Sequence, residues 1–231
     1  MSVGHLGGNQ MVYSMPSRSI LAAAIIFSWV TPLAAQSPID CPLPGITVAP
    51  TDNSKTFIRK GNGEWGAPRA SGGTHRGVDL IVNASYPDNA PYAVQPMAAG
   101  TVAYSRLNGT QTTGYGNLVV IDHGTGCYSL YAHLANRPFT PIAAGGNLLV
   151  NVGDSVGPGS PIGYFVDIKS DVDSSGNAQT TSPEARHQVH VAFIRAPSGR
   201  TSTTSLAAIV GNDGAIVDPT AFLLSQGYQY Y

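Results

Sequence analysis

Three short segments of the chain carry residue types that bind metal ions. In the first, His75 and Asp79 lie four positions apart, with Gly77 between them. The second segment ends at His133, and the third places His190 on an apolar stretch. Because alternate residues of a strand share a face, His75, Gly77 and Asp79 lie on one side if the first segment is extended. Gly77 then leaves space where a side chain would crowd an ion.

These residue types fit a catalytic zinc site. Imidazole nitrogen and carboxylate oxygen are ordinary zinc ligands, and three protein ligands with a fourth position for water describe a catalytic rather than a structural site. His75, Asp79 and His190 can form this set, in which zinc lowers the pKa of its water to about 7 and polarises a carbonyl group. His133 would stand outside the ligand set, as a proton carrier or an oxyanion stabiliser. The alternative is that the histidines make ordinary hydrogen bonds and that His75 and Asp79 form a local turn contact.

Short apolar runs separated by turn residues must position these side chains. The turns are of the Asn-Gly, Gly-Gly, Gly-Asp and Pro-Gly types, and no segment shows sustained helical periodicity. One late helix is expected at Asp218–Leu224, with Asp218 as its N-cap and Pro219 as its first residue. The pattern therefore predicts an antiparallel all-β fold. The predicted strands are Val78–Val82, Ala93–Met97, Gly100–Arg106, Asn117–Asp122, Tyr128–His133, Asn147–Val152, Pro161–Phe165 and Gln188–Ile194.

The bulk composition agrees with a turn-rich domain and argues against some functions. Of 231 residues only 11% are charged, whereas there are 27 glycines and 17 prolines. The formal net charge is -1, and no run of lysine or arginine occurs. We therefore expect no nucleic-acid partner and no electrostatic attachment to anionic membranes.

The N-terminus has the pattern of a secretory signal. An apolar run from Ser19 to Val30 follows Arg18 and ends in small residues, with the expected cut after Ala35. The run is too short to span a bilayer comfortably, so no membrane span is expected after cleavage. An uncleaved N-terminal anchor is the alternative. The expected organisation is a signal peptide at 1–35, a Pro-rich arm or linker at 36–56 and a single β domain at 57–231.

Two cysteines, Cys41 and Cys127, remain after the expected cleavage. Export makes a disulfide bond between them chemically possible, and the bond would tie the N-terminal arm to the core. Two unpaired thiols are the alternative, and the sequence does not decide between them.

The order of the motifs resembles one peptidase family. Thr74 to Leu80 matches its His-x-Gly-x-Asp motif, and Tyr131 to Leu134 matches its Tyr-x-His-Leu motif. Pro96 to Val102 matches its A-x-x-G-x-V strand pair. Residues 57–224 are therefore similar to the lysostaphin or LytM type of peptidoglycan endopeptidase, metallopeptidase family twenty-three. Further matches in the same order are Trp65–Arg69, Gly116–Gly124, Val152–Gly163 and Val217–Leu223.

This resemblance implies both a fold and an activity. The fold would be a single domain of antiparallel sheets in a barrel-sandwich-like arrangement, a duplicated hybrid motif, with long loops. Zinc would be bound by His75, Asp79 and His190, and His133 would be one of two catalytic histidines. The activity would be zinc-dependent hydrolysis of peptide bonds in bacterial peptidoglycan, by a protein exported to the periplasm, the cell wall or the medium. We expect a monomer whose partners are peptidoglycan peptides.

One position departs from the family pattern. The second catalytic histidine of the family lies two residues before the last ligand, where this chain has Gln188. Glutamine can donate a hydrogen bond to an oxyanion, but it cannot carry a proton near neutral pH. His187 is adjacent, and a bulge would be needed to bring it to the same face. We therefore assign Gln188 a hydrogen-bonding role beside His133. The alternative function is a non-catalytic peptidoglycan-binding or hydrolase-activating domain that keeps the fold and the metal site.

Two loops are expected to wall a substrate groove. They are residues 104–116 and the polar stretch 167–186, and long loops in compact domains are often functional. Tyr115 in the first loop is the expected substrate contact.

Overall fold

The computed structural model describes residue 1 and residues 41–70, 72–82, 92–108, 114–135, 148–167, 187–196, 206, 209 and 215–231. Residues 2–35 of the expected signal peptide, residues 36–40 of the arm and nearly all of the loop 167–186 lie outside these residues. Within them the fold is nearly all β, with almost no helix, which confirms the expected fold class.

Eleven strands of the described chain form one curled antiparallel sheet. The main path of the sheet runs β1-β2-β10-β6-β5-β4-β8. β9 pairs with β10, β3 and β7, and β11 pairs with β10. The strands are β1 (Thr56–Ile58), β2 (Val78–Val82), β3 (Ala93–Val94), β4 (Gly100–Asn108), β5 (Gly116–Asp122), β6 (Cys127–Ala132), β7 (Leu134–Ala135), β8 (Ser155–Val156), β9 (Gly163–Asp167), β10 (His187–Arg195) and β11 (Ile216–Val217).

The central strands are buried on both faces, which explains why their sequences are almost continuously apolar. In β5, Val119 and Ile121 belong to one hydrophobic cluster, whereas Leu118 and Val120 belong to a second one. Because successive side chains of a strand point to opposite faces, the two clusters cover the two faces of the sheet. β10 divides its apolar residues between the clusters in the same way, so it lies between two cores.

Most predicted strands are found, but two predictions need correction. The run 93–97 forms a strand only at Ala93–Val94, because the next backbone groups bond to the N-terminal arm: Gln95 N donates to Pro50 O at 2.8 Å. The predicted strand Asn147–Val152 is wrong over its described residues. There the Asn151 amide donates to the carboxylate of Asp154 at 2.8 Å and closes a turn instead.

The predicted late helix is present but begins later than expected. It spans Thr220–Ser225, with Pro219 at the N-cap position rather than at the first helical position. Asp218 still caps the first turn, since its carboxylate accepts the Thr220 N–H at 2.8 Å. Among the described residues, no helix has the length and apolar character needed to cross a membrane.

The described part of the N-terminal arm packs into the core. Cys41 and Cys127 form a disulfide bond that closes a sequence separation of 86 residues, which settles the question that the sequence left open. Cys41 and Leu43 are buried in the first hydrophobic cluster. Val48 N donates to Met97 O at 2.9 Å, so the arm also joins the hydrogen-bonding of the domain.

Candidate metal centre

Two of the three predicted ligands lie on neighbouring strands, and the third lies just before one of these strands. Asp79 of β2 and His190 of β10 are directly paired in the antiparallel ladder. His75 lies just before β2, and backbone hydrogen bonds to the preceding segment fix its position: its N–H donates to Ala67 O at 2.7 Å. On β10, His190 shares a face with Ala192, which belongs to the second hydrophobic cluster. On this face of β10, the polar side chains of the site therefore stand next to the apolar side chains of the second cluster.

Three donor atoms converge at a spacing suited to zinc. His75 Nε2 lies 2.9 Å from His190 Nδ1, and Asp79 Oδ1 lies 3.1 Å from His190 Nδ1 and 3.3 Å from His75 Nε2. In a tetrahedral zinc site with bonds of about 2.0–2.1 Å, adjacent ligand atoms are roughly 3.3 Å apart. All three residues are buried, and together they form a group able to hold a metal ion. The residues and their spacing therefore fit this ion.

A hydrogen bond outside the cluster orients His75. Its Nδ1 lies 2.9 Å from the carbonyl oxygen of Glu64, which can only accept. Nδ1 therefore carries the proton, and Nε2 directs its lone pair toward His190 and Asp79. Such a bond behind a ligating histidine fixes its tautomer and ring orientation in metal sites. The metal-binding face of His75 is thus set before any ion arrives.

The electrostatics of the cluster favour the ligand forms of two residues. Burial opposes ionisation of Asp79, but the hydrogen bond from His190, together with the neighbouring His75, outweighs it and holds the pKa of this carboxyl well below its usual range. Burial lowers the pKa of His190, although Asp79 partly counteracts this effect. At neutral pH the cluster therefore presents a carboxylate and a neutral His190 imidazole, which are the protonation states that bind a metal.

Gly77 allows β2 to approach β10 closely. A Cβ atom at this position would lie 2.3 Å from both Cε1 and Nε2 of His190 and 2.7 Å from the Val191 carbonyl oxygen. Carbon atoms in van der Waals contact stand about 3.5–4.0 Å apart, so no side chain fits. From the sequence we expected an ion in the space beside Gly77, whereas in the structure the ring of His190 occupies this space.

His133 stands beside the three ligands but outside their set. β6 ends at Ala132, which pairs with His190, and His133 follows with a left-handed φ of 58°. Its N–H donates to Tyr115 O at 3.0 Å, which holds this uncommon conformation in place. Its ring meets the His190 ring edge-on, with centroids 6.4 Å apart. Burial, chiefly, lowers the pKa of His133 to about 4, so its imidazole is neutral at pH 7.

Gln188 lies on the same strand as His190, two residues away, and so shares its face. It pairs with Ile81 on one side and Val166 on the other, and the ladder of β10 contains no bulge near His187. The bulge considered from the sequence is therefore absent. Gln188 Oε1 is buried without a hydrogen-bond partner among the described residues. The same holds, within this part of the chain, for His133 Nδ1 and His190 Nε2, so unsatisfied polar atoms cluster at the site.

Two residues that contribute to the site were not predicted from the sequence. Glu64 acts through its carbonyl oxygen, and no residue type signals that role. Arg69 brings Nη2 to 3.9 Å from Asp79 Oδ2, although its segment was noted only as a match to the family's opening residues. Tyr115, the expected substrate contact, lies at the site: its ring centroid is 5.7 Å from that of His190. Residues 109–113 of its loop are outside the described chain.

Comparison with known proteins identifies the family of this chain. The family described as Peptidase family M23 matches residues 73–193, just over half of the chain. The uncharacterised protein NMB1333 of Neisseria meningitidis serogroup B is 33% identical over 92 residues, which are 40% of this chain and only 14% of that protein.

Solved structures to which this chain is similar include the catalytic domain of the antimicrobial peptidase lysostaphin from Staphylococcus simulans. It has 20% identity and a TM-score of 0.43 and covers 74% of this chain and 92% of that one. A zinc containing peptidase from Vibrio cholerae has 18% identity and a TM-score of 0.42 and covers 71% of this chain and 41% of that one. The family match carries the assignment: this chain belongs to peptidase family M23, whose members cleave peptidoglycan.

Proposed function

We propose that this protein is a zinc-dependent endopeptidase that hydrolyses peptide bonds in bacterial peptidoglycan. One observation carries the proposal: His75 Nε2, Asp79 Oδ1 and His190 Nδ1 lie 2.9–3.3 Å apart in a buried cluster. Without an ion, two imidazole nitrogens and a carboxylate oxygen at this spacing place the lone pairs of several acceptor atoms close together, with few protons between them. With zinc, each atom has a lone pair to donate.

The side chains divide the chemistry between them. Zinc held by His75, Asp79 and His190 would polarise the scissile carbonyl and acidify a water molecule. His133 is neutral at pH 7, and its Nδ1, which has no hydrogen-bond partner among the described residues, is available to accept a proton as a general base. Gln188 donates a hydrogen bond from its amide nitrogen to the developing oxyanion. Because an amide does not titrate, proton transfer within this set depends on His133.

A second candidate function rests on Gln188. It occupies the place where the family resemblance led us to expect the second catalytic histidine. A domain that keeps the fold and the metal cluster but lacks turnover would bind peptidoglycan or activate a hydrolase. The oriented ligand cluster argues against this candidate, since binding alone has no evident need for a histidine with a fixed lone pair.

Release of soluble muropeptides by the purified protein, measured together with its zinc content, separates the two functions. We expect the wild type to bind one zinc and release fragments. His75→Ala should lose zinc and lower release by roughly a hundredfold or more. His123→Ala is the matched control, because it also removes a buried, hydrogen-bonded imidazole but leaves the three ligands intact.

Gln188→His sharpens the test. Restoring a titrating group should raise release, by up to about a hundredfold if proton transfer limits the wild type. Release by Gln188→His alone, with none by the wild type, would establish the non-catalytic function instead. Release that survives the loss of His75 would rule out the metal mechanism.

The proposal includes export and a domain organisation. Peptidoglycan lies outside the cytoplasmic membrane, and a disulfide bond such as Cys41–Cys127 persists in oxidising compartments. We therefore propose that residues 1–35 direct export and are removed, that 36–56 form the arm, and that 57–231 act as a monomeric domain. N-terminal sequencing of the secreted protein would show a start at Gln36, and a start at the initiator methionine would contradict the cleavage.

A further inference from the structure

Arg69 lies at the edge of the metal centre, and its backbone is hydrogen-bonded to nearby residues. Pro68, the preceding residue, forms an antiparallel bridge with Thr74. Arg69 N donates to Gly73 O at 3.2 Å, and Gly72 N donates to Arg69 O at 2.9 Å. The backbone of Arg69 is thus fixed on both sides, while 36% of its side chain remains exposed.

The guanidinium of Arg69 is close to the cluster but is not satisfied by it. Its Nη2 lies 3.9 Å from Asp79 Oδ2, which is too far for a hydrogen bond. This oxygen is the outer one of the carboxylate, since Oδ1 faces the nitrogens of His75 and His190. A guanidinium offers five N–H donors in a planar fork that matches a carboxylate. Among the described residues, Asp79 is the only carboxylate within ion-pair distance of it.

The charge around the cluster points to an anionic ligand. Asp79 is the one acidic residue of the metal group, so it does not balance both a divalent ion and Arg69. The guanidinium of Arg69 therefore leaves positive charge at the edge of the cluster. A positive potential of this kind at the mouth of a buried site attracts and orients negative groups.

We propose that Arg69 binds a carboxylate of the peptide substrate next to the scissile bond and so makes the protein select acidic peptides over amidated ones. The proposal rests on the function proposed above and specifies its substrate. Because Nη2 approaches the outer oxygen of Asp79, the guanidinium is offset from the three ligand atoms. It is therefore placed for a group beside the reacting carbonyl rather than for that carbonyl itself.

Equilibrium binding tests this selectivity without requiring turnover. The probes are an uncross-linked peptidoglycan stem tetrapeptide with free carboxylates and the same peptide with every carboxylate amidated. Both are titrated calorimetrically into the zinc-loaded full chain and into Arg69→Gln and Arg69→Lys. Arg59→Gln is the matched control: it removes the same charge from a half-buried arginine that contacts Asp79 through its backbone N–H, at 3.0 Å.

We expect the free-acid peptide to bind the wild type and Arg59→Gln about tenfold more tightly than the amidated peptide, as is typical of one charge-assisted hydrogen-bonded pair. Arg69→Gln should bind both peptides equally, and Arg69→Lys should keep a reduced preference because it loses the planar fork. Zinc content should be unchanged in all variants.

Several results would overturn the proposal. These are equal binding of the two peptides by the wild type, no binding of either peptide, or a preference that persists in Arg69→Gln. Loss of zinc from Arg69→Gln with equal weakening of both peptides would assign Arg69 to holding Asp79 instead. A preserved preference in a protein that releases no muropeptides would contradict only the enzymatic activity, so the two failures are distinguishable.

Discussion

Replacing Gly77 by alanine should remove zinc binding while leaving the fold intact. The added Cβ would lie 2.3 Å from two atoms of the His190 ring, more than 1 Å inside ordinary contact distance. The third close atom, at 2.7 Å, is the backbone oxygen of Val191, so rotating a side chain cannot relieve this clash. Either the ring of His190 or the start of β2 must therefore move by about 1 Å.

Metal coordination does not tolerate a shift of this size. Ligand distances in metal sites stay within about 0.2 Å of their preferred values. A 1 Å displacement would detach His190 from the set and leave His75 and Asp79 to bind the ion. Changes that only misorient a ligand already lower metal affinity by 10–100-fold. We expect Gly77→Ala to weaken zinc binding by at least about a hundredfold, which is about 2.7 kcal/mol.

Competition with a chromophoric chelator would measure the zinc affinity of both proteins. Gly157→Ala is the matched control, because the nearest atoms to its added Cβ are those of Ala99 at 3.9 Å, an ordinary contact. Circular dichroism should show a native β spectrum for both variants. If folded Gly77→Ala binds zinc as tightly as the wild type, then His190 is not a ligand held in place by this close approach.

Two further predictions concern stability. Removing the disulfide with Cys41→Ser and Cys127→Ser together should lower the free energy of unfolding by about 4 kcal/mol, because the bond closes a separation of 86 residues. Urea titrations check this, and an unchanged midpoint would show that the arm is held without the bond. The second prediction is a fall in stability as the pH drops below about 6.5, the usual pKa of histidine. Burial lowers the pKa of His123, whose nitrogens bond to Ala99 O and Ser129 Oγ at 2.8 Å each, so the unfolded chain takes up a proton before the folded one does. The stabilisation is complete above that pH and lost below it. His123→Gln should flatten the dependence without abolishing it, since burial also lowers the pKa values of His133 and His190. An unchanged pH dependence would contradict this account.

Strand positions were largely readable from the sequence because they depend on local patterning. β2 was predicted with its observed bounds, Val78–Val82, because all of its residues except Asp79 are apolar. The predicted strand Asn147–Val152 failed because apolar content alone does not distinguish a strand from a loop. There, a hydrogen bond between Asn151 and Asp154 decides the local structure.

The identity of the candidate ligands was also available from the sequence, but their arrangement was not. The spacing of His75 and Asp79 indicates a shared face, because side chains alternate along an extended chain. Nothing local shows that His190, 111 residues after Asp79, is its direct partner across the ladder. That pairing depends on how β10 is placed between β2 and β6, which the packing of both cores determines.

The sequence by itself determined which residue types are present and their local periodicity, because both follow from backbone geometry over a few positions. The tertiary structure alone decided the tautomer of His75 through Glu64, the approach of Arg69 to Asp79 and the bond between Cys41 and Cys127. Each of these contacts joins two segments that are apart in sequence, and sequence separation does not tell how close two segments lie in space. Their positions follow from the register of the whole sheet, which is fixed by burying two hydrophobic clusters at once.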